Sequence, residues 1–271
     1  MNTKSKIFTS KSLFINQNKK EMNILFLALN LFAIFDYSTQ HKFKFINNSP
    51  FQNLKIREYK LFTNWLDCNE RGAVLFYYLT VPDTGNLPRP TSFRFDPDFP
   101  RDCQQTSSSS YGSIYDRGHL VPANHLDHDD VAIKESNYIT NILPQHNKLN
   151  RMAWLVTEEI TECLRDDVDL EVIGGIIMGD NVENDIFVKS HGVRTPDFFW
   201  KILINLNNGD VNAWIMPNDE TTAVRNIDPY LVTISEIEQK SGFYFIGITD
   251  EQRYKKQTVS WAIPKGCDKS K

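Results

Sequence analysis

The sequence predicts an α+β fold, on three observations. Apolar runs typical of buried strands lie on both sides of one strongly amphipathic helix pattern. Strand and helix patterns do not alternate regularly along the chain, and no internal repeat is present. The 271 residues are 41% hydrophobic and 24% charged, which is enough apolar material for one sizeable core. Strands without regular βα alternation favour α+β over a parallel α/β class.

The strand patterns come before and after the helix. The run "AVLFYYLT", residues 73–80, is apolar and aromatic and predicts a buried strand. Residues 81–113 are rich in proline, glycine and serine and predict an irregular connection. The runs "LEVIGGIIMG", "FFWKILINL" and "VNAWIMP" predict three strands between 170 and 217. The segment "DPYLVTISEIEQKSGFYFI" predicts a short helix followed by a last strand.

The central helix is predicted in "LNRMAWLVTEEITECLRD", residues 149–166. Its apolar residues stand at positions 152, 155, 156, 160, 163 and 164, which is the 3.6-residue period of an amphipathic helix. Asn150 stands where an N-cap residue would stand. A shorter helix is predicted after the acidic residues of "DHDD", 127–130, because carboxylates favour helix N-termini.

Net charge and cysteines narrow the classes of partner and site. The formal net charge is −4, so the chain has no strong overall attraction for polyanions, and any such attraction must be local or come from a metal ion. No CxxC pair occurs, which argues against a zinc ribbon or a thioredoxin-type site. The four cysteines are Cys68, Cys103, Cys163 and Cys267. They can form two disulfides or stay as four reduced thiols, and their number alone does not decide between these states.

The N-terminus predicts a targeting segment over residues 1–39. A lysine-rich lead precedes the apolar run "ILFLALNLFAIF", residues 24–35, which as a helix rises about 18 Å and falls short of a bilayer's apolar core of about 30 Å. This pattern favours a secretory signal and a secreted protein with no stable membrane association after signal removal. A mitochondrial presequence is the second interpretation, weakened because the first arginine is Arg57, and a buried helix is the third.

Residues 40–54 then form a predicted linker, residues 55–250 a predicted globular domain, and residues 251–271 a polar, basic tail. The linker prediction rests on the polar, asparagine-rich stretch "NNSPFQN".

Polar residues that can transfer a proton, bind a cation or bind an oxyanion occur between positions 89 and 158. Histidine has an ordinary pKa near 6.5, so neutral His119 of the "DRGH" tetrapeptide can accept a proton from water. An amide oxygen such as that of Asn150 suits a hard divalent cation. The guanidinium fork of Arg89 matches phosphate oxygens.

The spacing of these residues resembles the DNA/RNA non-specific endonuclease family, the ββα-metal group that includes secreted bacterial nucleases and mitochondrial endonuclease G. The "DRGH" motif is followed by "NILPQ", residues 141–145, and by "NRMAW", residues 150–154. Upstream, Arg89, Phe93 and Asp96 match a further family pattern. The likeness covers residues 55–247, which would make the globular domain an endonuclease domain.

The resemblance implies a central, mostly antiparallel sheet with a long metal-bearing helix. It implies that His119 is the general base and that Asn150 is the single direct protein ligand of Mg²⁺, with Mn²⁺ as an alternative. Glu158 follows Asn150 by eight residues, about 12 Å along a helix, and is expected to act through metal-bound waters. Arg89 is expected to neutralise transition-state charge, with Arg94 as the competing candidate.

The remaining motif residues have supporting roles in this interpretation. Asn141 orients His119 or the substrate, with backbone capping as the alternative. Asp116 and Arg117 hold the motif or contact phosphate. Gly118 fits a backbone position with no room for a side chain.

The chain departs from the family pattern beside Glu158. Glu162 stands where the family often has an arginine, and a Glu–Glu pair at this spacing repels modestly. The position of Glu158 is therefore in question, with Arg151 and Arg165 as candidate substitutes. The stretch "NHLDHDD", residues 124–130, could form a zinc site or a solvated acidic loop. The loop is the favoured interpretation, and it leaves His125 and His128 outside the active site.

The expected function is that of a secreted, Mg²⁺-dependent endonuclease that cuts DNA and RNA with little sequence preference and leaves 5′-phosphates. One alternative is a mitochondrial endonuclease of the same family. Another is a catalytically weakened nucleic-acid-binding homologue. A homodimer is left open.

Overall fold

The computed structural model describes residues 43–269, so the predicted targeting segment lies outside the described residues. The chain divides after Ile46, and the second unit, Asn47–Lys271, contains every candidate site residue. Strand β1, Lys44–Asn47, lies within the stretch predicted as a linker. Within residues 43–269, no helix combines the length and the apolar character that a membrane span requires.

A six-stranded antiparallel sheet forms the centre of the second unit, with strand order β2-β3-β4-β7-β8-β9. The strand predicted at 73–80 and the three predicted between 170 and 217 are confirmed as β4 and β7 to β9. The strands are β2 Leu54–Glu58, β3 Phe62–Asp67, β4 Gly72–Leu79, β7 Leu170–Ile177, β8 Phe198–Asn205 and β9 Val211–Pro217.

Both faces of this sheet are covered, as strand β8 shows. Successive side chains of a strand point to opposite faces. Phe199 packs edge-to-face against Trp154, with ring centroids 5.6 Å apart, whereas Trp200 lies 5.8 Å from Phe245 on the other face. All four rings are fully buried. The sheet therefore separates two apolar layers, and the helix that carries Trp154 covers one of them.

Five α-helices accompany the sheet within residues 43–269. The acidic start predicted for the first is confirmed: the Asp129 side chain caps it by accepting hydrogen bonds from the backbone N–H groups of Val131 and Ala132. The predicted short helix and last strand near the C-terminus are also confirmed, as α4 and β10. The elements are α1 Asp130–Ser136, α2 Trp154–Leu164, α3 Val188–His191, α4 Ile234–Ser241, β10 Phe243–Ile246 and α5 Asp250–Tyr254.

Two further strands form a separate antiparallel pair that precedes α2 in the chain. Strands β5, Tyr115–His119, and β6, Ile142–His146, pair antiparallel, with Asp116 opposite Gln145. The chain then enters α2 through a π-helical turn, Leu149–Ala153, whose capping position is Lys148. The prediction that Asn150 is the N-cap is wrong, because the capping position is Lys148, two residues earlier, and Asn150 lies inside the π-helical turn. Such turns occur often at functional sites.

Two disulfide bonds join all four cysteines. Cys68 pairs with Cys103, and Cys163 pairs with Cys267 across a sequence separation of 104 residues. The second bond ties the tail to the last turn of α2. It therefore holds the C-terminal residues beside the helix that carries Glu158.

Candidate active site

The "DRGH" tetrapeptide lies in strand β5. Successive side chains of the strand point to opposite faces, so the motif residues fall into two groups. His119 and Arg117 share one face, where both contact Phe93: the ring centroids of His119 and Phe93 are 5.6 Å apart, and the Arg117 guanidinium carbon lies 4.0 Å from the Phe93 centroid. Asp116 points to the other face, toward the start of α2. One rigid strand thus holds two sets of functional groups.

A buried asparagine fixes the proton on His119. The Nε2 atom of His119 lies 2.8 Å from Oδ1 of Asn137. The Nδ2 group of Asn137 donates to the carbonyl oxygens of Pro90 and Ser92, at 2.8 and 3.2 Å, which sets the orientation of the amide. Its Oδ1 can only accept a hydrogen bond, so Nε2 of neutral His119 carries the hydrogen. The lone pair on Nδ1 is then the one available to accept a proton.

His119 is neutral well below physiological pH. Burial lowers the pKa of His119 to about 4, and the positive charges of Arg89 and Arg117 act in the same direction, while the hydrogen bond to Asn137 opposes them. The side chain is 6% exposed. The ordinary pKa near 6.5 assumed from sequence therefore does not apply. At pH 7 the imidazole is in the form that a general base needs.

Gly118 is required by its neighbour Gln145. A Cβ at position 118 would lie 2.4 Å from Oε1 and 2.5 Å from Cβ of Gln145, both far inside contact distance. We expect Gly118→Ala to push the two strands apart, to destabilise the protein by about 1–3 kcal/mol, and to displace the adjacent His119. Thermal unfolding and nuclease activity of the variant check this expectation. A variant with wild-type stability and activity would contradict it.

Asp116 connects the motif to the start of α2. Its Oδ2 accepts hydrogen bonds from Nδ2 of Asn150 at 2.9 Å and from Nε of Arg151 at 2.8 Å, and its Oδ1 lies 2.6 Å from Nη2 of Arg151. Burial raises the pKa of Asp116, but the hydrogen bonds from Arg151 and Asn150 outweigh burial and the net pKa is lowered. Asp116 is therefore a carboxylate at neutral pH, and it fixes the orientation of the Asn150 amide.

That orientation makes Asn150 suitable for a hard cation. With Nδ2 committed to Asp116, the Oδ1 atom of Asn150 is left as the accepting end of the amide. Amide oxygens are ligands that Mg²⁺ uses, and Mg²⁺ keeps several waters when few protein ligands are present. Among residues 43–269, no three His, Cys, Asp or Glu side chains come together as a metal-ligand group. The donor set fits a cation held by one amide oxygen and by water.

Arg89 and Glu158 meet at one cavity. Both side chains line a space of about 360 Å³ between the residue 86–89 segment and α2. Arg89 is exposed, and its charge lowers the pKa of both His119 and Glu158. The competing Arg94 stacks on Tyr138, 5.1 Å from the ring centroid. The geometry thus assigns Arg89 rather than Arg94 to the cavity.

Glu162 does not disturb Glu158 in the way the sequence suggests. Its Oε1 accepts a hydrogen bond from Nη2 of Arg165 at 2.8 Å, so Arg165 is paired with Glu162 and is not a substitute partner for Glu158. Burial raises the pKa of Glu162 to about 7, although the charge of Arg165 acts in the opposite direction. This raised pKa reduces the negative charge of Glu162 at neutral pH. Arg151 is likewise occupied by Asp116.

Asn141 is not in contact with His119, contrary to the expectation that it orients the base or the substrate. Its fully buried amide donates to the carbonyl oxygens of Val121 and Ser136 and accepts from the Val121 N–H and from Asn64. Every one of these bonds is internal to the fold. Asn141 therefore fixes the backbone directly after His119, which is the capping alternative.

The acidic stretch after the motif is buried in its first part and open to solvent at its end. His125 and Asp127 are each 3% exposed, whereas Asp130 is exposed. The His125 Nδ1 atom lies 2.8 Å from the Tyr78 hydroxyl, and its Nε2 lies 3.2 Å from the Glu158 carbonyl oxygen. The prediction of a solvated loop is therefore wrong for His125 and Asp127, which pack inside the fold, and holds for Asp130.

Two residues near the site escaped the sequence reasoning. Asn137, the partner of His119, stands four residues before Asn141 and looks like an ordinary helix-end asparagine. Lys201 stands in an apolar run, "FFWKILI", and that single charge within a predicted buried strand was the available signal. Lys201 is fully buried under α2.

The sequence is similar to those of known proteins. The family model described as DNA/RNA non-specific endonuclease matches residues 42–251. Human mitochondrial endonuclease G is 29% identical over 170 residues, which is 58% of this chain and 57% of the relative. The nuclease of Serratia marcescens is 29% identical over 163 residues, 56% of this chain and 59% of the relative. The matched stretch thus spans a little over half the length of these relatives.

A solved structure agrees with the fold. A chain in a crystal structure of the EndoG/EndoGI complex superposes with a TM-score of 0.63 over 73% of this chain and 88% of that chain, at 18% identity. The similarity supports the antiparallel sheet with its ββα unit that the resemblance implied. With the family model matching more than half of its residues, the chain belongs to the DNA/RNA non-specific endonuclease family.

Proposed function

We propose that this chain is a metal-dependent endonuclease that hydrolyses phosphodiester bonds in DNA and RNA, with little sequence preference, leaving 5′-phosphate ends. The observation that carries the proposal is the neutral His119, whose Nε2–H is fixed by Asn137 and whose Nδ1 is left to accept a proton. The same strand bears Asp116, which presents the oxygen of Asn150 to a cation.

Each residue has one task in this reaction. His119 takes a proton from the attacking water as that water approaches phosphorus. Arg89, exposed at the cavity mouth, neutralises charge on the phosphoryl oxygens. Asn150 would hold Mg²⁺, or Mn²⁺ as an alternative, and the ion would supply charge neutralisation at the phosphate. Glu158 would act on the ion through water, while Asp116 and Arg117 support the motif.

The proposed substrates are recognised through their backbone. Arg89 and Arg117 offer groups suited to phosphate, and the sequence contains no apparent base-reading motif. The net charge of −4 leaves attraction to local groups and to the cation. DNA and RNA share the phosphodiester, so both are proposed substrates.

We infer a secreted location, with mitochondria as the second candidate. The two disulfides, Cys68–Cys103 and Cys163–Cys267, support maturation in an oxidising compartment. Relatives of both kinds of nuclease match the chain, including proteins named mitochondrial. Imaging and fractionation of a full-length chain with a C-terminal tag would separate secretion from mitochondrial import.

Cleavage of supercoiled plasmid and of a folded RNA tests the function. We expect both to be cut at pH 7–8 with Mg²⁺, not to be cut with EDTA, and to yield ends that a kinase labels only after phosphatase treatment. Binding without cleavage would overturn the enzyme proposal in favour of a weakened binding homologue. Size-exclusion chromatography with light scattering on the same sample would show whether the protein is a homodimer.

A further inference from the structure

Lys201 is a charged side chain in the most apolar part of the molecule. It lies in the middle of β8, between Trp200 and Ile202, and is fully buried, as are both neighbours. A buried ammonium group is costly by several kcal/mol unless it is paired or well hydrogen-bonded. The side chain shares the face of β8 that packs on α2, so its partners lie on that helix.

The contacts of Lys201 surround the position of Glu158. Its Nζ donates a hydrogen bond to Oγ1 of Thr157 at 2.8 Å and lies 3.9 Å from the ring centroid of Trp154. Thr157 in turn donates to the Trp154 carbonyl oxygen at 2.7 Å, which fixes the hydroxyl so that it accepts from Lys201. On the helix, Trp154 is one turn before Glu158 and Thr157 is the residue directly before it.

The charges of Lys201 and Glu158 act on each other. Burial raises the pKa of the Glu158 carboxyl, and the charge of Lys201 is the strongest influence that lowers it, followed by that of Arg89. Burial lowers the pKa of Lys201 to about 8, and Glu158 opposes that effect. Glu159 raises the Glu158 pKa from the same helix, and buried His125 also faces Lys201. The charge of Lys201 thus partly offsets the effect of burial, and the net pKa of Glu158 is still raised.

Other cations near α2 have different partners. Arg165 is bound to Glu162 and lies 3.0 Å from Asp83, and Arg151 is bound to Asp116. Arg89 approaches Glu158 from the open cavity, where substrate phosphate would compete for it. Lys201 lies on the sheet side of α2, where its ammonium group binds Thr157.

We propose that Lys201 is a positioning residue that holds the turn of α2 carrying Glu158 from beneath, through its hydrogen bond to Thr157 and its contact with the Trp154 ring, so that the Glu158 side chain lines the cavity. The inference rests on the proposed nuclease function. Thr157, small and hydroxylated, leaves space for the ammonium group and binds it.

The test is a double-mutant cycle between Lys201→Met and Glu158→Gln, with exposed Lys55→Met as the matched control. We expect Lys201→Met to reduce cleavage about 10- to 100-fold and Lys201→Arg to restore part of it. In the Glu158→Gln background, Lys201→Met should change cleavage by no more than about 2-fold, because the group it supports is already gone. Equal losses in both backgrounds would overturn the inference.

Two further readouts separate positioning from a merely structural role. Without the lysine charge the pKa of Glu158 should rise, so the acid limb of the pH–activity profile should move to higher pH in Lys201→Met but not in Lys55→Met. Calorimetric titration of Mg²⁺ into variants that also carry His119→Ala should show weaker binding for Lys201→Met. An unmoved acid limb with unchanged Mg²⁺ affinity would refute the assignment.

Failure to fold is also informative. If Lys201→Met is unfolded while the double variant with Glu158→Gln folds, the charge pair is confirmed. If both are unfolded, Lys201 serves the core alone and the inference fails. A wild-type protein that cleaves neither DNA nor RNA would instead refute the proposed function, and the Mg²⁺ titration would still test the lysine.

Discussion

Replacing His119 with alanine will reduce cleavage of plasmid DNA and RNA by about 10²–10⁴-fold while leaving nucleic-acid binding intact, since general-base catalysis contributes a factor of that size. The side chain touches Phe93 and Asn137 but carries no net charge at neutral pH, so its removal does not alter the charge that attracts substrate. Single-turnover cleavage rates and binding measured in EDTA check the two halves of the expectation. His128→Ala is the matched control because it removes an imidazole nine residues after His119 and outside strand β5.

The protonation of His119 can be followed directly. Burial and the charges of Arg89 and Arg117 disfavour the imidazolium, so the ring should stay neutral as the pH falls through 6.5 and should gain its second proton only near the pKa of about 4. A nitrogen-detected NMR titration should place the hydrogen of the neutral ring on Nε2. A midpoint near 6.5, a hydrogen on Nδ1, or an alanine variant with wild-type activity would each contradict the assignment of His119.

The elements that sequence patterns predict well here are those whose side chains are uniformly buried. Strands β4, β7, β8 and β9 are long apolar runs because both faces of the central sheet are covered. Strand β5 is different: it is polar because it carries the motif, so its sequence looks like a loop. Its strand geometry comes from pairing with β6, a contact between distant residues that local pattern does not show.

The same distinction applies to the site. The residues of the motif and of α2 were found because their spacing along the chain is itself the signal. Asn137 and Lys201 were missed because their importance comes from contacts across the fold, with His119 and with the α2 face beside Glu158. Asn141 was predicted to orient His119 or the substrate because its spacing fits the motif. Its amide instead donates hydrogen bonds to backbone carbonyl groups.

Replacing Asn150 with alanine will raise the Mg²⁺ concentration needed for half-maximal cleavage by at least about 10-fold. The reason is the hydrogen bonding of its amide: Nδ2 donates to Asp116, so Oδ1 is the end left to bind the ion. Stability should change little, because Asp116 keeps both bonds from Arg151 and one lost hydrogen bond is worth about 0.5–1.5 kcal/mol.

Cleavage rate against Mg²⁺ concentration, together with the rise in melting temperature that Mg²⁺ produces, measures the effect. Asn207→Ala, in the exposed turn between β8 and β9, is the matched control and should follow the wild type in both. Since binding to the folded state stabilises it by mass action, loss of the ligand oxygen should reduce the Mg²⁺-induced shift even where cleavage is too slow to measure. An unaltered Mg²⁺ requirement and an unaltered shift in Asn150→Ala would show that the ion is held elsewhere. The Asp116–Asn150 bond would then be a purely structural link between β5 and α2.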